Sequence, residues 1–117
     1  TYKVFIDCGK TDSGLDVADW AREAEARGAG EILLQEISRD GMAKGYNLDL
    51  ISLVSSAVSI PVIACSGVGK YEDFAAGIKA GASAVAAANI FHFKELSDRN
   101  AKRAMAKADC RVRLCSL

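Results

Sequence analysis

The run Ile60-Pro61-Val62-Ile63-Ala64-Cys65-Ser66-Gly67-Val68-Gly69-Lys70 constrains the fold more than any other stretch of the chain. A short apolar segment stops at a glycine-punctuated turn. A helical pattern carried by Tyr71, Phe74, Ala75 and Ile78 follows and ends at Gly81. Continuous apolarity without alternation marks a buried strand of a parallel sheet. Such a strand delivers bare backbone amides to the helix that follows it, which is how a fold holds a phosphate without a metal. The small residues from Cys65 to Gly69 let an anion come close to the main chain.

The same unit recurs along the chain. Tyr2 to Ile6 reads as a short strand and Cys8 to Gly14 as a polar turn. Ser13, with Asp16 three residues on, reads as the N-cap of a helix carrying Val17, Trp20, Ala21 and Ala24, closed by Gly28. Glu31 to Glu36 is a strand, Ile37 to Tyr46 a charged loop containing glycine, and Asn47 the cap of a helix carrying Leu50, Ile51, Val54, Ala57 and Val58. Ala84 to Ala88 is a strand ending at Asn89, followed by Phe91-His92-Phe93. Ser97 opens a last helix carrying Ala101, Ala104, Met105 and Ala108.

Alternating strands and helices predict an α/β fold with a parallel sheet. Two consecutive strands with small, glycine- or amide-rich C-terminal ends suggest the phosphate site of a (β/α)8 TIM barrel, which is built from its last two βα loops. The 117 residues hold only three βα units and an opening strand, whereas a complete barrel takes about 250 residues. The expected architecture is therefore the C-terminal half of a barrel. It forms one unit over 1–117 and comprises about strands 6–8 plus a preceding short strand. A free-standing doubly wound sheet is the alternative.

Fifteen basic and fifteen acidic side chains leave no net charge, and hence no general attraction to nucleic acid or a membrane. The segment from Lys94 to Arg113 is locally basic, as a solvated helix face would be. No apolar run approaches the ~20 residues of a membrane span. Cys8, Cys65, Cys110 and Cys115 lack C-x-x-C spacing, so zinc and a disulfide framework are not expected. Reduced thiols in a cytoplasmic protein are the plain reading.

The chemistry-bearing candidates fall at strand ends. Asp40-Gly41 lies just past the Glu31–Glu36 strand. Gly41 can take the positive φ that turns amides toward an anion, and Asp40 can orient a hydroxyl or move a proton. Gly67 and Val68 form the second turn, and Ala88 and Asn89 complete the cup. Cys65 reads as small packing rather than as a nucleophile, and His92, between two phenylalanines, as a packed residue rather than a catalyst. Glu31 begins its strand and so belongs to the opposite mouth, where a charge either pairs for stability or gates a passage.

Taken together, these segments resemble a known family. Gly28-Ala29-Gly30-Glu31-Ile32-Leu33-Leu34, Arg39-Asp40-Gly41, Gly45-Tyr46, Ile60 to Ala64, Gly67-Val68-Gly69 and Ile90-Phe91-His92-Phe93 follow the order and spacing of the imidazole glycerol phosphate synthase cyclase subunit. Phe-His-Phe separates that subunit from its isomerase relative in histidine biosynthesis, which shares the Arg-Asp-Gly loop.

The resemblance implies a (β/α)8 barrel lyase that takes ammonia from a glutaminase partner at its N-terminal face. It joins the ammonia to a ribulosyl aminoimidazole-carboxamide nucleotide, with no cofactor. The products are imidazole glycerol phosphate and an aminoimidazole-carboxamide ribotide. It further implies that Asp40, Gly41, Gly67, Val68, Ala88 and Asn89 hold one substrate phosphate, and that Glu31 stands at the ammonia gate.

The family's two catalytic aspartates lie on strands that precede Thr1, so no catalytic residue is assigned here and the 117-residue chain alone is expected to turn over little or nothing. Gln35, Cys65 and Asn89 depart from the family's usual small hydroxyl residues. The alternatives are a cyclase-like subunit of a sugar-amidination pathway for surface polysaccharide, and a non-catalytic phosphate-binding half-barrel. Unpaired strand edges make self-association an expectation for any half-barrel.

Overall fold

Three short parallel strands carry the architecture. The computed structural model describes residues 1–93 and 97–113. Strands β1 (Lys3–Ile6) and β2 (Thr11–Asp16) precede helix α1 (Val17–Ala26). Then come β3 (Ile32–Gln35), α2 (Leu48–Ala57), β4 (Val62–Cys65), α3 (Glu72–Lys79), β5 (Ala84–Val85), α4 (Asn89–Phe93) and α5 (Ser97–Lys107). Strands β3, β4 and β5 lie side by side and parallel in sequence order, joined by helical crossovers. This is the α/β half-barrel expected from the alternating pattern.

The register divides the sheet into two unlike faces. Ile32 pairs with Val62, and Leu34 pairs with Ala64, which pairs in turn with Val85. Side chains at paired positions share a face, and this face is packed under the helices. Leu34, Val62 and Ala64 are buried there with Leu50, Ile51 and Val54 of α2, Phe74 of α3, and Ala101 and Met105 of α5. The intervening positions, Leu33, Ile63 and Ala84 with Gln35 and Cys65, form the other face. That face is the more open one: Leu33 is 59% exposed whereas Val62 is 1% exposed, and Ile63 and Cys65 are half-buried. A barrel closes this face on itself; three strands cannot. The radius of gyration of 14.7 Å exceeds the roughly 13 Å of a compact domain of this length.

The N-terminal segment corrects two expectations. Residues 8–14 are not a polar turn throughout: the turn is confined to 7–10, and Thr11–Asp16 is a strand running antiparallel to β1. Asp7, Cys8 and Gly9 take φ of 54°, 58° and 80° in sequence, which reverses the chain in so few residues. Ser13 therefore caps no helix. It lies within β2 and its hydroxyl donates to the Val4 carbonyl at 2.6 Å. Asp16 caps α1 instead, accepting from the amides of Ala18 at 3.0 Å and Asp19 at 3.2 Å. Carboxylate and hydroxyl compete as caps, and the carboxylate adds a favourable charge at the positive helix end.

Other boundaries follow local chemistry. Asn47 caps α2 by accepting from Leu50 N. Gly28 and Gly81, at φ of 101° and 125°, end α1 and α3 as left-handed C-terminal residues. The last strand is shorter than its alanine run: only Ala84 and Val85 pair, although Ala86 N still donates to the Ala64 carbonyl. His92 is exposed on α4, not packed. Trp20 is 37% exposed, with the Arg27 guanidinium 5.9 Å above its ring. The capping expectation for Ser97 and the thiol of Cys115 lie outside what the structure describes.

Candidate functional site: three loops at the C-terminal edge

Parallel strands end on one edge, so the chain segments following β3, β4 and β5 emerge together. Those segments carry every candidate of the phosphate cup: Asp40 and Gly41 after β3, Gly67 and Val68 after β4, Ala88 and Asn89 after β5. Glu31, the residue before β3, is exposed at the opposite edge.

The first two loops are interlocked through their backbones. Gly45 N donates to the Gly67 carbonyl at 2.7 Å. A Cβ on Gly67 would lie 2.4 Å from the Gly45 carbonyl oxygen, and one on Gly69 would lie 2.2 Å from that of Ala43. Neither contact is possible for a real side chain, so glycine here is a packing requirement. Gly67 also takes φ of 100° and Gly41 φ of 75°. Arg39 braces the first loop by donating from its guanidinium to the carbonyls of Gly45 at 3.2 Å and Tyr46 at 3.4 Å, and it pairs with Glu36 at 3.5 Å.

An aromatic column supports the third loop. The buried Tyr46 hydroxyl donates to the Ala86 carbonyl at 2.7 Å, tying the first loop to the end of β5. Burial, with lesser contributions from Cys65 and Asp73, holds the Tyr46 phenol above its ordinary value, so it stays a donor. The Tyr46 ring meets Phe74 edge-on at 6.5 Å, and Phe74 stacks on Phe91 of α4 at 6.3 Å. Gly77 makes room for this column, since a Cβ there would lie 2.8 Å from the Tyr46 ring.

The β4–α3 turn is only partly open to an anion. The Asp73 carboxylate accepts from Gly69 N at 2.9 Å and from Lys70 N at 3.0 Å, so two amides of the turn are already engaged. Among the described residues, the amides of Gly67 and Val68 donate to no other group of the chain. Those of Gly41 and Asn89 are likewise unengaged. Reasoning from sequence missed Asp73 as a competitor, although an acid four residues beyond Gly69 was its signal. It also missed Arg39 and Tyr46 as supports.

Ser66 stands apart within this turn. It is buried at 5% exposure, its hydroxyl has no hydrogen-bond partner among the described residues, and its φ is 86°. A non-glycine residue in the left-handed region costs about 1–2 kcal/mol, and an unsatisfied buried hydroxyl about 1–3 kcal/mol.

On the N-terminal side, β1–β2 leans over the bare edge of β3. A Cβ on Gly9 would meet Ile37 at 2.8 Å, so the hairpin turn touches the loop after β3. An open groove of about 1060 Å³ runs beneath, lined by Phe5, Trp20, Leu33, Ile37 and Asp40 among others. No helix among the described residues is long and apolar enough to cross a membrane.

Three relatives named imidazole glycerol phosphate synthase subunit HisF are similar to the chain. The protein from Hyphomonas neptunium is 51% identical over 114 residues, 97% of this chain and 45% of its own length. That from Pyrobaculum aerophilum is 46% identical, over 97% of this chain and 45% of its own. That from Endomicrobium trichonymphae is 45% identical, over 96% and 43%. The chain thus spans less than half the length of these relatives. The model of the family described as histidine biosynthesis protein matches residues 1–97, and the chain belongs to that family.

Proposed function

We propose that this chain is the phosphate-binding half of an imidazole glycerol phosphate synthase cyclase. The single observation that carries the reading is the coincidence, on one sheet edge, of three loops with unengaged amides at Gly41, Gly67, Val68 and Asn89. Main-chain amides in left-handed or turn conformation form a concavity suited to an anion. The relatives' printed names supply the rest, a synthase of imidazole glycerol phosphate, and the family's description supplies the setting, histidine biosynthesis.

In this reading, Gly41, Gly67, Val68, Ala88 and Asn89 fix one phosphate through backbone N–H groups. Asp40, exposed beside Gly41, holds a substrate hydroxyl. Anchoring the phosphate places the reacting carbon over the sheet axis and supplies part of the barrier lowering as prepaid orientation. Proton transfer belongs to residues outside this chain. Ammonia from a glutaminase partner arrives at the opposite edge, past Glu31. The more open face of Leu33, Ile63 and Ala84, flanked by unpaired strand edges, also favours self-association of the isolated chain.

Calorimetric titration of the purified chain with inorganic phosphate and with ribose 5-phosphate tests the phosphate site. Saturable binding that Gly67→Asp abolishes is the expected result. A folded chain that binds neither ligand removes the proposal for this half on its own. Light scattering tests self-association, which a monodisperse monomer overturns.

A further inference from the structure

Ser66 bears two costs at one residue: a left-handed φ of 86° and a buried hydroxyl without a partner among the described residues. Glycine at this position would remove both at once. Backbone strain and an unsatisfied buried group on the same side chain are characteristic of a site that acts on something outside the chain.

Ser66 lies in the turn between β4 and α3. The polar groups of that turn divide into two sets. The amides of Gly69 and Lys70 are satisfied internally by Asp73. The Ser66 hydroxyl and the amides of Gly67 and Val68 are consecutive along the chain, and none of them donates to the described residues. Ser66, Gly67 and Val68 are all buried, so bulk water does not serve them freely. Three adjacent unsatisfied donors beside a turn the chain has otherwise closed are complementary to a tetrahedral oxyanion.

We propose that the Ser66 hydroxyl is itself a phosphate ligand, donating alongside the Gly67 and Val68 amides, and that Ser66 is retained at the expense of fold stability. The proposal rests on the phosphate reading above and adds a side-chain contact to a site otherwise made of backbone. Its particular consequence is an opposition of stability and affinity at one position.

Thermal unfolding of the wild-type chain, Ser66→Gly and Ser66→Ala, each at increasing inorganic phosphate, reads both quantities. The expected result is a higher ligand-free Tm for Ser66→Gly than for wild type, because strain and the orphaned hydroxyl are both gone. The apparent Kd for phosphate should weaken about tenfold or more in both variants, as loss of one hydrogen bond to a charged group requires.

Wild-type saturation with unchanged affinity in both variants overturns the Ser66 role and leaves the backbone site standing. A ligand-free Tm lowered in both variants, or failure of both to fold, also overturns it, because the hydroxyl would then serve the fold. No phosphate response in wild type overturns the backbone reading and the Ser66 role together.

Discussion

Leu33 and Leu34 are neighbours of identical chemistry on the same strand, yet one is 59% exposed and the other 8%. The difference is the difference between the two faces of the sheet. One is packed by α2, α3 and α5 into a close-fitting core; the other leaves Leu33 and Ala84 exposed and Ile63 and Cys65 half-buried. Apolarity alone therefore does not define a core here. The packed face holds this chain together, while the more open face is an inner barrel wall that lacks the opposing strands.

The largest expected effect separates those faces directly. Leu34→Ala should destabilise the chain by about 2–5 kcal/mol, because it empties a packed site. Leu33→Ala should lie within about 0.5 kcal/mol of wild type at protein concentrations low enough to keep the chain monomeric, as exposed substitutions do. Urea unfolding of the two variants checks this, and equal losses would mean that the more open face is covered in solution.

A second contrast concerns the two edges of the sheet. At the C-terminal edge, Gly69→Ala drives a methyl group into the Ala43 carbonyl, and should cost about 1–3 kcal/mol together with phosphate affinity. At the N-terminal edge, Gly30 has nothing within 4 Å of an added Cβ and no left-handed φ. Gly30→Ala should therefore be neutral or stabilising by up to ~1 kcal/mol, through loss of unfolded-state freedom. The two melting midpoints, compared in one buffer, decide whether only the loop edge is close-packed.

The smallest effect lies at the turn that leads into β4. Glu25 on α1 accepts hydrogen bonds from the Ser59 hydroxyl and, at 2.9 Å, from the Ser59 amide. The hydroxyl first, then the amide, holds the carboxyl below its ordinary 4.5, against a smaller opposing effect of burial. A carboxyl with a lowered folded-state pKa stabilises the fold above its unfolded value and loses that contribution as the pH falls through the folded one. Glu25→Gln should therefore lower the neutral-pH midpoint slightly, where the ionised carboxylate contributes, and the gap to wild type should close as the pH falls below about 4.5. Acid titrations of both proteins followed by circular dichroism measure this, and a gap that does not change with pH would assign the sensitivity to other carboxyls.

Much of the fold was legible because local chemistry and tertiary packing agreed. The apolar runs at 32–35 and 62–65, the cap at Asn47 and the stops at Gly28 and Gly81 each specify an element within a few residues. The hairpin was not legible. Thr11-Asp12-Ser13-Gly14-Leu15-Asp16 has turn composition and forms a strand only because β1 lies beside it. The cap at Asp16 was hidden for a related reason: two capping residues stand three apart, and pairing with β1 removes Ser13 from contention. At the candidate site, the glycines revealed the loops, but not that Asp73 satisfies two of the amides.

The sequence by itself determined the order of strands and helices, the parallel sense that short strands joined by helices impose, and hence the gathering of three glycine- or amide-rich loops on one edge. Side-chain periodicity and glycine conformations are local properties, so they can be read locally. Only the tertiary structure decided which of two adjacent leucines is core, which amides remain free, and that Ser66 is strained with an unpartnered hydroxyl. Those outcomes depend on what residues distant in sequence bring alongside, and no local pattern contains that information.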